Sequence, residues 1–337
     1  MNHPRVGSGD GVLAQRGRIT AVGTHRPRTA FVLSGGASLA AAQVGMLQAL
    51  YEHRIEPDLL VGTSAGALNA AFIASRPQTA ATARMLARIW GDLRREDLFP
   101  VSMSALIGGF CGRRDHLVPD RGLRALTHRY LEFADLAEAP IPLHVVAFDL
   151  NEGREVLLSE GPAVDSIAAS ASIPGIYPAV AMGERRLVDG GVVNNAPISH
   201  AVALGAERIY VLPAQRRDRP SERPAKTALD AAIYGLGLLV TSRLESDIAR
   251  YAGDAEIVVM PAPNSAGVQP TSFEHSGALI AEALAAGRRE LGAQSGHPHL
   301  RLVSDSRDGL PAQRRRRPLA ARETVSARAL YAQKKGS

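Results

Sequence analysis

This 337-residue sequence predicts an α/β fold built on a mainly parallel central sheet, and three observations lead there. Short aliphatic runs alternate with helix-length stretches of small apolar residues, the order that yields strands joined by crossover helices. The first two runs, Thr29–Ser34 and Asp58–Val61, bracket a helical pattern from Leu39 to His53. That is a strand–helix–strand unit, and it implies parallel pairing. Glycine-bearing turns also stand at the ends of three expected strands, where open α/β sheets keep their ligand sites.

Each element has its own signal. Residues 1–27 are rich in Gly, Arg, Pro and His without apolar periodicity and read as disordered. The first strand ends at Gly35-Gly36-Ala37-Ser38, and the helix after it carries Leu39, Val44, Leu47 and Leu50. The second strand runs into Gly62-Thr63-Ser64-Ala65-Gly66, followed by a proline-free small-residue helix from Ala65 to Ala74. Thr79–Leu93 reads as a helix, Arg94–Asp97 as a polar turn, Gly108–Pro119 as a loop and Arg121–Phe133 as a helix. Leu143–Leu150 is a strand, Asn151-Glu152-Gly153 turns it, and Arg154–Ser159 returns as a hairpin partner. Ala163–Ser172 is a helix stopped by Pro174. A short strand, Arg186–Asp189, enters Gly190-Gly191, and Pro197 opens a helix to Leu204. Arg208–Leu212 and Glu256–Met260 are the last strands, and Thr227–Tyr251 and Phe273–Leu291 are long helices. Ala214–Lys226 reads as a mobile charged loop. The domain spans 28–303 and a disordered basic tail occupies 304–337.

Composition narrows the class of protein. At 45% hydrophobic but only 4% aromatic, the core is aliphatic and alanine-rich. Cys111 stands alone, which excludes an intramolecular disulfide and a cysteine-rich zinc site, and fits a reducing, cytoplasmic setting. No apolar run approaches the roughly 20 residues of a spanning helix. The N-terminus has no apolar core of a secretory signal. The net charge of +6 is a property of one end: residues 307–337 carry +7, leaving the rest at −1. A specific nucleic-acid partner is therefore not expected, because the only basic cluster is that tail.

Gly62-Thr63-Ser64-Ala65-Gly66 at a strand-to-helix junction is the nucleophile-elbow pattern. Gly62 and Gly66 leave room for a turn that lifts the Ser64 hydroxyl clear of the sheet, facing the positive end of the following helix. By itself such a pattern also fits an ordinary glycine-rich turn. Asp189-Gly190-Gly191 by itself fits a turn former. Three glycine turns at strand ends together offer backbone amides, a nucleophile and a base, the three requirements of acyl transfer.

Taken in order, four blocks resemble the patatin-like phospholipase family, bacterial type. They are Leu33-Ser34-Gly35-Gly36 leading to Gln43-Val44-Gly45-Met46-Leu47, then Gly62–Gly66, then Ala169–Gly175, then Leu187–Pro197. The resemblance covers about Thr29 to Leu212. It implies a three-layer α/β/α sandwich and a Ser-Asp dyad acting on lipid acyl esters, with no cofactor and no metal. Ser64 is then the nucleophile and Asp189 the base, with Gly35, Gly36 and Ala37 presenting the oxyanion amides. Gly62, Gly66, Gly190, Gly191 and Asn195 support the motifs, although Asn195 equally fits a turn or cap ahead of Pro197.

The family's first block usually reads Gly-Gly-Gly-x-Arg/Lys-Gly. Here Ala37, Leu39 and Ala40 replace the third glycine, the basic residue and the last glycine. Alanine at positive φ costs about 1 kcal/mol. A catalytically weak lipid-binding member of the same fold, with a degenerate oxyanion loop, is the alternative these changes raise. Of the histidines, His144 lies in an apolar strand and reads as structural, while His116 and His128 read as surface residues. A histidine-containing triad stays open on sequence alone. Gly35-Gly36 lacks both a G-x-G-x-x-G pattern and a P-loop lysine, which argues against a nucleotide site. The partner is a lipid or other acyl ester, and Arg314–Arg317 has the charge for peripheral contact with an anionic membrane.

Overall fold

The computed structural model describes residues 26–100, 116–215, 243–265 and 268–295. The N-terminal segment to 25, the loop from 108 to 115, most of Ala214–Lys226, the helix expected over 227–242 and the basic tail lie outside the described residues.

In chain order the elements are β1 Thr29–Leu33, α1 Ala42–Glu52, β2 Leu59–Thr63, α2 Ala65–Ala74, α3 Ala80–Asp92 and a single turn, α4, at Arg95–Leu98. There follow α5 Arg121–Tyr130, β3 Leu143–Asp149, β4 Arg154–Leu158, α6 Ala163–Ala171, β5 Val180–Met182 and β6 Arg185–Asp189. The last are α7 Ile198–Ala203, β7 Arg208–Leu212, β8 Glu256–Val259 and α8 Ser276–Ser295. Residues 243–251 are also helical. Where a turn was expected at Arg94–Asp97, the Asp97 carboxylate accepts from the Arg94 amide and closes a helical turn instead. Thr79 caps α3 by accepting from the Thr82 amide.

Five strands, in the order β3-β2-β1-β7-β8, pair in parallel. Every residue of β1 and β2 is buried, as central strands covered on both faces must be. Alternate side chains serve opposite layers. Phe31, Leu33, Leu60, Tyr210 and Leu212 belong to the cluster shared with α1, α2, α3, α6 and α8. Ala30, Val32, Leu59, Val61, Ile209 and Val211 pack with Ile198 and Ala201 of α7 and with Leu244 and Ile248. The molecule is thus a three-layer α/β/α sandwich with a mainly parallel sheet. Burying one such Leu or Ile contributes about 1.5–3 kcal/mol.

The strand ending at Asp189 lies outside the parallel set: β6 runs antiparallel to β3, and so does the hairpin partner β4. Val145 and Val146 pair at once with β2 and β4, while Ala147 to Asp149 pair at once with β4 and β6. Strands β2 and β6 therefore occupy the same edge of β3 and run toward each other. Thr63 pairs with Val146 and Asp189 with Ala147, so the two strand ends meet on adjacent residues of β3. The short β5, which pairs with β6, has no signal of its own in the sequence.

Candidate active site

Between β2 and α2 the chain turns on Ser64, whose φ of 55° lies in the left-handed region. The turn is too tight for side chains on either side of it. A Cβ on Gly66 would lie 2.3 Å from the Leu33 carbonyl oxygen, and one on Gly62 would lie 2.7 Å from Ala67 Cα. Such a φ costs a non-glycine residue about 1–3 kcal/mol. It is held by a hydrogen bond from the Ser64 amide to Ser170 Oγ at 3.0 Å, and Ser170 Oγ donates in turn to the Val146 carbonyl at 2.7 Å.

Where β6 meets β2, Ser64 Oγ donates to Asp189 Oδ2 at 2.5 Å. The Gly191 amide donates to Asp189 Oδ1 at 2.7 Å, and the Asp189 amide donates to the Ser172 carbonyl at 2.9 Å. Asp189 is 5% exposed. Burial pushes its carboxyl from an ordinary 3.8 up to about 6, against the pull of the hydrogen bonds from Ser64 and Gly191. At neutral pH the group is mainly a carboxylate, yet basic enough to take a proton from a hydroxyl that is losing it.

The glycine loop packs beside this pair. The Gly35 amide donates to the Asn195 carbonyl at 3.1 Å, and Asn195 Nδ2 donates to the Gly35 carbonyl at 3.2 Å. Asn195 thereby ties the first glycine to the loop that follows Asp189, and the Gly35 amide is occupied. The amides of Gly36 and Ala37 donate to no acceptor among the described residues. Ala37 has a φ of 49° and lines the same cleft as Ser64. Gln43 Nε2 holds the Ser34 carbonyl at 2.7 Å, and Asn69 Nδ2 holds the Ala40 carbonyl at 3.1 Å. Asn69 also donates to Gln43 Oε1 at 2.9 Å, so the two amides bracket the loop as one buried unit.

From Ser64 a cleft runs between α2, α3 and α5. Its walls are Leu68, Phe72, Leu86, Trp90, Leu126 and other apolar side chains, so its chemistry suits a hydrocarbon chain.

The other candidates fall elsewhere. His144 Nδ1 bonds Ser159 Oγ at 2.7 Å, and burial, with His200 and Arg28 nearby, pushes its imidazole down to about 4. His200 bonds Glu155 at 2.5 Å. His128 lies on α5, exposed, and His116 at the start of the segment before it. With Ser64 Oγ directly on the carboxylate, no gap is left for an interposed imidazole. Among the described residues no three His, Cys, Asp or Glu side chains converge as a metal site. The sequence reading passed over Ser170, Gln43, Asn69 and Phe273 as working parts. A buried serine in a helix of alanines, and buried amides on otherwise apolar helices, were the signals available for the first three.

A family model described as patatin-like phospholipase matches residues 31–202. An uncharacterized NTE family protein of Mycobacterium tuberculosis is 32% identical over 197 residues, covering 58% of this chain and 30% of its own length. Patatin-like phospholipase domain-containing protein 7 of Mus musculus is 27% identical over 198 residues, covering 56% of this chain and 14% of its own. This chain thus spans less than a third of the length of these curated relatives. Among solved structures, VipD from Legionella pneumophila superposes with a TM-score of 0.43 and 12% identity, covering 80% of this chain and 67% of its own.

Proposed function

The chain belongs to the patatin-like phospholipase family, and from that premise we propose that it is a serine acyl hydrolase whose Ser64–Asp189 dyad cleaves lipid acyl esters. The observation that carries the reading is the 2.5 Å contact between Ser64 Oγ and a buried carboxylate at the head of an apolar cleft. The acyl chain lies in the cleft with its carbonyl carbon against Ser64. As Oγ attacks, its proton passes to Asp189 Oδ2, and the carbonyl oxygen becomes an oxyanion facing the Gly36 and Ala37 amides. The positive end of α2, a ten-residue helix, adds to that field.

Collapse of the tetrahedral intermediate breaks the ester C–O bond. Asp189 returns its proton to the leaving alkoxide, and the acyl group stays on Ser64. A water molecule then gives its proton to Asp189 and its oxygen to the acyl carbon. The second intermediate releases the fatty acid, and the proton returns to Ser64 Oγ. One carboxylate thus serves as base and acid in turn, which its raised pKa favours. No described helix is long and apolar enough to cross a membrane.

Ala37, held at a φ of 49°, favours a second reading in which the fold binds lipid but the oxyanion loop works poorly. Reaction with a fluorophosphonate probe separates the two, because it requires an activated serine. Wild-type protein should label at Ser64, and Ser64→Ala should neither label nor hydrolyse a p-nitrophenyl ester. Hydrolysis by Ser64→Ala above about a tenth of the wild-type rate would sink the dyad.

A further inference from the structure

The segment 268–275 lies beyond the residues matched by the family model, yet it touches the candidate site at two points. Its first contact is with the oxyanion loop. The Ser38 amide donates to the Pro270 carbonyl at 3.0 Å, and Ser38 Oγ donates to the Gln269 carbonyl at 3.3 Å. Ser38 directly follows Ala37. The second contact is with the cleft. Phe273, only 6% exposed, lines it and stacks on Trp90 with ring centroids 6.0 Å apart. The Phe99 ring centroid is 6.4 Å from that of Phe273. Trp90 is itself fixed by its Nε1 donating to Asn69 Oδ1 at 2.9 Å, the same Asn69 that holds the Ala40 carbonyl. Phe273 therefore sits on a strap pinned at one end to the oxyanion loop, with its ring packed in the cleft wall against two other aromatics.

We infer that Phe273 is the residue that sets which acyl chain lengths the cleft accepts, with the strap 268–275 as an integral wall of the site. The inference rests on the acyl-hydrolase reading for its ligand class, a fatty acyl chain. Two residues separate Pro270 from Phe273, so at most about 10 Å of backbone joins Phe273 to the strap's anchorage on the loop. A long acyl chain runs along more of the cleft wall than a short one, so it is the long chain that has to pass the ring. A ring packed against two aromatic neighbours does not rotate aside freely, because the interior is close-packed. A ring at this position therefore selects by length, and exchanging it should move the selection in a direction set by its size.

The test is displacement of a fluorescent fatty acid by octanoate and by palmitate, using the full chain and its Phe273→Ala, Phe273→Leu and Phe273→Trp variants. This readout does not need turnover. Expected is a fivefold or larger shift of the palmitate-to-octanoate affinity ratio toward palmitate in Phe273→Ala. Phe273→Leu should shift it the same way by threefold or more, and Phe273→Trp the opposite way by threefold or more. The leucine and tryptophan variants decide the matter if the alanine variant does not fold. An unchanged ratio, a parallel loss of affinity for both acids, or no fatty-acid binding by the wild type overturns the inference. Fluorophosphonate labelling of the same samples reports separately on Ser64: a shifted ratio without labelling would overturn the hydrolase reading and leave the role of Phe273 standing.

Discussion

Replacing Asp189 by Asn should destroy activity and at the same time stabilise the fold, by an amount that grows with pH. The wild-type carboxyl is raised from 3.8 to about 6 because burial disfavours its charge more than Ser64 and Gly191 favour it. Between those values the native state keeps a proton that the unfolded state has lost. Stability therefore falls as pH rises through the window and levels off above about pH 7. At about 1.4 kcal/mol per unit, the full loss is about 3 kcal/mol. Roughly half of this is already lost at pH 5, so about 1–2 kcal/mol more is lost by pH 8.

Asn carries no charge at any pH and can satisfy both neighbours. Its Oδ1 can accept from the Gly191 amide, and its Nδ2 can donate to Ser64 Oγ, which then serves as acceptor. Urea denaturation of both proteins at pH 5 and pH 8 measures the effect directly. The stability difference, variant minus wild type, should be about 1–2 kcal/mol larger at pH 8. In the wild type, kcat/KM should have an acid limb centred near pH 6, because the base must be unprotonated in the free enzyme. A difference that is equal at the two pH values would refute the account of a desolvated carboxylate. An acid limb near pH 4 would do the same.

Two further predictions follow from the glycine loop and the tail. Ala37→Gly removes the Cβ from a residue at φ 49° and should raise kcat with little change in KM, the signature of an interaction felt mainly in the transition state. Steady-state kinetics on a p-nitrophenyl ester would show it, and an unchanged or lower kcat would mean that the loop already reaches its working geometry. Deleting residues 307–337, which carry a charge of +7, should weaken co-sedimentation with anionic liposomes strongly at low salt and little at high salt. Hydrolysis of a soluble ester should be unaffected, and equal liposome binding by the two forms would remove any membrane role for the tail.

Much of the architecture is written locally. The apolar, proline-free run Ala65–Ala74 is helical over those same residues, and the aliphatic run Arg208–Leu212 is a strand over its full length. Burial of such segments on every side leaves little ambiguity about their fate, because their apolar surface must be removed from water whatever they pack against. Ser64 and Asp189 were legible as candidates for a related reason: a glycine-flanked serine at a strand end has few alternatives to a tight turn. Their meeting was implied by the family resemblance, but no local signal showed how it is made. It depends on β6 choosing the edge of β3 that β2 vacates at Thr63, and on its running the opposite way. Strand direction and edge are settled by hydrogen bonds between residues roughly 40 to 80 positions apart, to which hydrophobic periodicity is blind. The same holds for Ser170 beneath Ser64, for Asn195 against Gly35, and for Phe273 in the cleft wall. The sequence alone determined the layers, the turns and the reactive residue types. Only tertiary structure decided which of them touch, because contact between distant segments is a property of the packed whole.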